Sequence, residues 1–179
     1  ILITTKKGKE GKPQLTYNGN VSVSSPMKYV DVLTGDEMRA LGNTLLSQNL
    51  PGLTVDALQR MGDENTDWQR EIYRNAISHD HNIGIAGTHK DLPYRISYGY
   101  TDQQGILRTT SFERNSLNIN LTPTFFNGDL KVTATMKGSH TKQNFGNTEA
   151  IGAAVAFDPT QPIRNGSTRW GGFFTWVAA

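Results

Sequence analysis

The chain has 179 residues, no cysteine and a formal net charge of +2. Lack of thiols excludes a disulfide scaffold and thiolate chemistry, and the near-balanced charge, with no basic run interleaved with aromatics, argues against nucleic-acid binding. Hydrophobic content of 36% is low for a compact soluble domain of this length, and no run of about 18 apolar residues offers a transmembrane helix, which leaves open a membrane protein built of strands, because alternation never produces such a run.

In chain order, Ile1-Leu2-Ile3-Thr4-Thr5-Lys6-Lys7-Gly8 reads as a short apolar strand. Neither an initiator Met nor a signal peptide precedes it, so the chain reads as a piece of a longer protein. A Gly/Lys-rich linker at 9–13 follows. Alternation then begins at 14–25, with Leu15, Tyr17, Gly19, Val21 and Val23 opposite Thr16, Asn18, Asn20, Ser22 and Ser24. A period of two marks a strand. The pattern stops for a long loop at about 26–76. Inside it, Thr34 and Glu37 form a capping-box signature for a helix over 34–48, whose Met38, Leu41 and Leu45 share one face. Thr66 and Gln69 look like a second capping box for a short helical turn over 67–74. Both apolar stripes read as packing surfaces.

Strand patterns resume at 77–88 and 93–102. In the second of these, Tyr94, Ile96, Tyr98 and Tyr100 oppose Arg95, Ser97, Gly99 and Thr101. Two long strands, 111–126 and 129–142, follow. Asn127-Gly128 between them is a tight-hairpin signal, since both residues tolerate positive φ. A second long loop, 143–179, contains a short helix pattern over 148–157 stopped by Asp158-Pro159, and an aromatic cluster of Trp170, Phe173, Phe174 and Trp176.

These elements predict an all-β fold with short helices in the loops: a partial antiparallel transmembrane β-barrel of about five long strands, incomplete by itself because the smallest membrane barrels need about eight. Short connections at one end and long ones at the other suit an outer-membrane barrel. Strands of about ten residues suit it too, since soluble strands are commonly five or six. A soluble β-sandwich carrying a carbohydrate site at the terminal aromatics gives the same alternation and stays open as the second reading. An isolated piece of barrel exposes two sheet edges and an apolar face, so it is expected to self-associate.

Several stretches resemble the SusC/RagA-like TonB-dependent outer-membrane transporters. Residues 1–8 resemble the end of that family's plug domain. Thr66-Asp67-Trp68-Gln69, Ile72-Tyr73-Arg74, His81-Asn82-Ile83, the run from Tyr94 to Ile106, Arg114 to Asn120, and Asp158-Pro159-Thr160-Gln161-Pro162 resemble its first barrel strands and loops, in the same order. The resemblance implies a plugged barrel of about 22 strands, of which residues 14–179 form the N-terminal part. It implies import of oligosaccharides or peptides across the outer membrane of a Gram-negative cell. It also implies two partners: a SusD-like surface lipoprotein acting as a lid, and the TonB complex, engaged through an N-terminal region that this sequence lacks.

His79 and His81 share a face and His89 is near in sequence, but no cysteine or paired carboxylate completes a metal-ligand set, so no metal is expected. Asp56, Asp63, Glu64 and Asp67 read as a solvated acidic loop, with no separation that would define a glycosidase pair. No phosphate cradle or nucleophile triad is recognisable, and neither a cofactor nor catalysis is expected. Tyr94, Tyr98 and Tyr100, with Phe125 and Phe126 beside the turn, read as membrane-belt aromatics against a lipid bilayer. Arg95, Lys131 and Lys137 read as facing a watery lumen. Trp170, Phe173, Phe174 and Trp176 suit either ligand or lid contact, or packing within their own loop.

Overall fold

The computed structural model describes residues 12–48, 54–166 and 169–176. The expected plug strand at 1–8 lies outside the described residues, as does all but the end of the 9–13 linker. The chain divides into two compact units: residues 1–25 with 75–146, and residues 26–74 with 147–179.

The first unit is a five-stranded antiparallel sheet in the order β1 (Gln14–Ser24), β2 (Ala76–His89), β3 (Leu92–Gln104), β4 (Ser111–Leu121) and β7 (Ala134–Asn144). Two short strands, β5 (Thr124–Phe125) and β6 (Leu130–Lys131), form a separate ribbon in the connection between β4 and β7. The long strands run 11 to 14 residues, which meets the nine to eleven or so that a tilted strand needs to cross a bilayer.

Register carries the alternation of each strand into lateral rows. Leu15, Ile85, Ile96, Ile119 and Met136 form one row, and Tyr17, Ile83, Tyr98, Leu117 and Gly138 the next. The third row turns polar: Gly19, His81, Tyr100, Asn115 and His140. On the opposite face, the row Gln14, Ala86, Arg95, Asn120 and Thr135 adjoins the row Thr16, Gly84, Ser97, Asn118 and Lys137. Gly19 permits a local fit on the apolar side. A Cβ there would lie 2.6 Å from the Tyr17 hydroxyl, which reaches across to His81.

The expected strands over 111–126 and 129–142 are shorter than the sequence pattern suggested. Pro123 has no N–H to give the ladder, so β4 stops at Leu121. Thr122 N–H turns instead to the Pro93 carbonyl at 2.9 Å, and Val132 N–H to the Pro123 carbonyl at 3.0 Å. Asn127-Gly128 does turn the chain, with φ of 52° and 106°, but Phe126 also adopts a positive φ of 54°. The result is a turn of four residues, 126–129, at the tip of the small ribbon, where a two-residue turn was expected. Lys90 and Asp91 alone join β2 to β3.

The second unit holds α1 (Gly35–Ser47), α2 (Val55–Gln59), α3 (Trp68–Ile72) and α4 (Glu149–Ala156). The Thr34/Glu37 capping box forms: Thr34 Oγ1 accepts from Glu37 N–H at 3.3 Å, and Glu37 Oε2 accepts from Thr34 N–H at 2.8 Å. The second expected capping box does not. Asp67 caps α3 by accepting from Arg70 N–H at 3.1 Å, which frees Thr66 and Gln69 for longer-range bonds. Asp and Ser/Thr are comparable caps, so tertiary demand on Thr66 decides between them.

Among the described residues only Ala76 and Ala154 are buried hydrophobics, whereas Leu15, Val21 and Val23 are 66–70% exposed. Hydrogen bonding with Thr34 holds the Glu37 carboxyl below its usual range, the backbone bond contributing most. A depressed carboxylate stabilises above its ordinary pKa and loses that contribution as pH falls through the lowered value. Amide exchange at Thr34, whose N–H donates to the Glu37 carboxylate, is therefore expected to be slow at neutral pH and to lose protection under acid. Thr34→Ala is expected to cost about 1 kcal/mol of local protection at pH 7.

Candidate functional site

The two faces of the sheet and the loop unit are the candidate functional surfaces of the segment. Connections 26–74, 105–110 and 145–179 leave the sheet at one end, and 90–91 and 122–133 at the other.

On the apolar face, Tyr94 lies over Gly87 near the short-turn end. Tyr98 and Tyr100 sit toward the loop end, where Tyr98 O–H donates to Asn115 Oδ1 at 2.5 Å. Phe125 and Phe126, 48% and 76% exposed, stand in the turn connection outside the sheet. His81 Nδ1 bonds the Tyr17 hydroxyl at 2.7 Å, and His79 Nε2 lies 3.8 Å from Asp102 Oδ2. His89 is at the far end of β2 from this pair, so sequence proximity misplaces it. No group of three or more metal-competent side chains occurs among the described residues.

On the polar face, Arg95 and Lys137 come together in a groove of about 270 Å³ with Ser97, Asn118, Asn120 and Thr135. Lys131 does not join them. It belongs to the β5–β6 ribbon, paired with Thr124, and is not part of the sheet.

The loop unit is organised around Asp158, Pro159, Thr160 and Gln161. Asp158 Oδ1 accepts from Thr160 N–H at 2.8 Å and from its hydroxyl at 2.7 Å, closing a tight local turn. The turn then binds the 60–68 stretch at almost every step. Thr160 Oγ1 accepts from Gly62 N–H at 3.0 Å, and the Thr160 carbonyl from Glu64 N–H at 3.1 Å. The Pro159 carbonyl accepts from Thr66 N–H at 2.8 Å, and the Gln161 carbonyl from the Thr66 hydroxyl at 2.7 Å. Gln161 Nε2 donates to the Arg60 carbonyl at 2.9 Å, and Trp68 Nε1 to the Asp158 carbonyl at 2.9 Å. Thr160 and Gln161 are buried. Gly62 is required by contact, because any Cβ there would strike the Thr160 carbonyl. Gln69 makes a second clamp: its amide accepts from Val30 N–H at 2.9 Å and donates to the Val30 carbonyl at 2.7 Å.

The terminal aromatics split in two. Trp68, Phe157, Phe174 and Trp176 form a chain of edge-on rings, with centroids 4.9, 6.3 and 5.4 Å apart. Phe173 instead lies under the Arg164 guanidinium at 4.2 Å, and Arg169 lies near the Trp170 ring at 5.5 Å. Trp170 and Trp176 keep 47% and 52% of their surface exposed. The acidic loop residues are partly engaged: Asp56 pairs with Arg60 at 2.6 Å, and Asp67 with Arg70 at 3.0 Å. Sequence reasoning did not single out Gln69, Thr160 and Gln161 as a polar core. The available signal was the Asp-Pro-Thr run, whose side chains favour a self-bonded turn.

No family model matches the chain. It is 47% identical over 165 residues to TonB-dependent receptor SusC of Bacteroides thetaiotaomicron, covering 91% of this chain and 16% of the relative. It is 30% identical over 175 residues to TonB-dependent receptor P3 of Formosa agariphila, covering 92% of this chain and 16% of the relative. The solved RagAB peptide importer superimposes with TM-scores of 0.62 in its closed-closed state and 0.59 in its open-open state. These matches cover 82% and 78% of this chain and 21% and 19% of the importer chain, at 19% and 22% identity. The open antiparallel sheet with long strands thus shares its fold with part of that importer chain. The chain belongs to the SusC/RagA-like TonB-dependent receptors, and it spans about a sixth of the length of the curated relatives it matches.

Thr160→Val keeps the side-chain shape but removes the acceptor for Gly62 N–H. It is expected to cost about 1–3 kcal/mol by leaving that buried group unpaired. Faster proteolysis within 54–66, with the sheet's amide protection unchanged, is the expected readout.

Proposed function

We propose that this segment forms part of the wall and outer loops of an outer-membrane importer. The whole receptor takes up oligosaccharides or peptides, works with a SusD-like surface lipoprotein and is energised by TonB. The observation that carries the reading is a sheet of 11-to-14-residue strands whose apolar face stays exposed. A soluble sandwich would stack a second sheet about 10 Å above that face. The described residues form one five-stranded sheet and one short two-stranded ribbon. Lipid is the covering that an alternating face of this length fits, and the polar face then lines the lumen.

In this orientation the long connections lie outside the cell and the short turns face the periplasm. Trp170 and Trp176 present exposed rings on the long-loop side, suited to stacking on a sugar or docking the lid. Phe174, held between Phe157 and Trp176, supports the loop from beneath. RagAB is a peptide importer, which supports the peptide alternative among the solutes proposed here.

A paired charge insertion in the full-length receptor tests the wall. Ile96→Arg places a guanidinium on the lipid face and is expected to cost about 2–4 kcal/mol near the bilayer midplane. It should lower the amount of folded receptor in outer membranes. Ser139→Arg, on the polar face, should lower that amount far less. Equal tolerance of both substitutions would defeat the reading. Trp176→Ala and Trp170→Ala are expected to reduce solute uptake while receptor levels stay constant.

A further inference from the structure

We propose that Arg95 and Lys137 together hold a carboxylate supplied by a part of the receptor outside this segment. The proposal rests on the polar face being the inner wall. Arg95 is half-buried on the central strand β3, and Lys137 lies on β7. One residue of β4 separates them in each row: Asn120 beside Arg95 and Asn118 beside Lys137. Two strand spacings and a two-residue offset put their Cα atoms roughly 12 Å apart, within reach of one oxyanion for two long side chains. The groove they share, about 270 Å³, adds only neutral donors and acceptors from Ser97, Asn118, Asn120 and Thr135.

The charge on this face is lopsided. Among the described residues of the five strands, its cations are Arg95, Arg114 and Lys137, and its single carboxylate is Asp80. Asp80 accepts from the Thr101 hydroxyl at 2.6 Å. Thr101 lies six residues along β3 from Arg95, about 20 Å away. Neither Arg95 nor Lys137 has an ion-pair partner among the described residues. Enclosing two such cations in a barrel strips water from them, and that is unfavourable unless a counter-charge arrives with hydrogen bonds. A guanidinium fork and an ammonium, flanked by amides and hydroxyls, suit a carboxylate.

One observation favours a protein carboxylate. The segment covers only 16% of SusC, so most of a receptor of that size lies elsewhere and is available to face the inner wall.

The test is zero-length cross-linking of the full-length receptor in membranes. A carbodiimide joins the Lys137 amine to a touching carboxyl as an amide, and takes up the released water as its urea. Peptide mass spectrometry should find Lys137 linked to an Asp or Glu outside residues 1–179. Lys137→Arg should abolish that link, and Arg95→Gln should reduce it, with receptor levels unchanged. Lys137 left unlinked while other lysines react, or linked to a carboxyl within 1–179, would overturn the proposal. So would a link that is displaced by added glucuronate and replaced by Lys137 joined to that solute. Leu117→Cys serves as the control for the wall, because a lipid-facing thiol resists a charged maleimide. Labelling there would remove the wall reading itself, whereas resistance with an unlinked Lys137 would remove this proposal alone.

Discussion

The backbone ladder running from β1 to β7 is the interaction on which the rest of this segment depends. Successive residues of an inner strand bond alternately to the strand on one side and the strand on the other, and the ladder fixes whether each side chain stands on the apolar or the polar face. Slippage by one residue would exchange Ile96 for Arg95 and Leu117 for Asn118, so the two-sided chemistry and the register enforce one another. Among the described residues no strand pairs with the outer edges of β1 and β7, and a spanning sheet needs further strands to close such edges.

The two units solve the problem of burial in opposite ways. The sheet has almost no interior, and its apolar rows are left for the surroundings to cover. The loop unit is stabilised by a polar interior, in which backbone groups of 60–68 are satisfied by Thr160, Gln161 and their neighbours. A loop unit built this way keeps its shape in water without a large apolar core, because each buried donor finds an acceptor. That arrangement leaves Trp170 and Trp176 exposed while Phe157 and Phe174 fill the space beneath.

Legibility in the sequence followed the range of the interaction. Alternation exposed the strands because Tyr94, Ile96 and Tyr98 are read at a spacing of two. The Thr34/Glu37 capping box was visible because both halves lie within four residues. The Thr66/Gln69 box was misread because both side chains are drawn to distant partners: Thr66 to Gln161 and Gln69 to Val30. The end of β4 was overrun because apolar Phe125 and Phe126 continued the pattern past Pro123, whose missing N–H ends the ladder. His89 was grouped with His79 by proximity in the chain, although an extended strand carries it to the opposite end.

By itself, the sequence determined the strand-rich character, the two-sidedness of each strand and the family, since period-two hydrophobicity and short motifs are local properties. Tertiary structure decided which distant pieces share a unit. It joined 26–74 to 147–179, brought Arg95 and Lys137 into one groove and left Lys131 out of it. The physical reason is that these outcomes rest on hydrogen bonds and register between residues tens of positions apart, such as Gly62 with Thr160, and no local spacing encodes them.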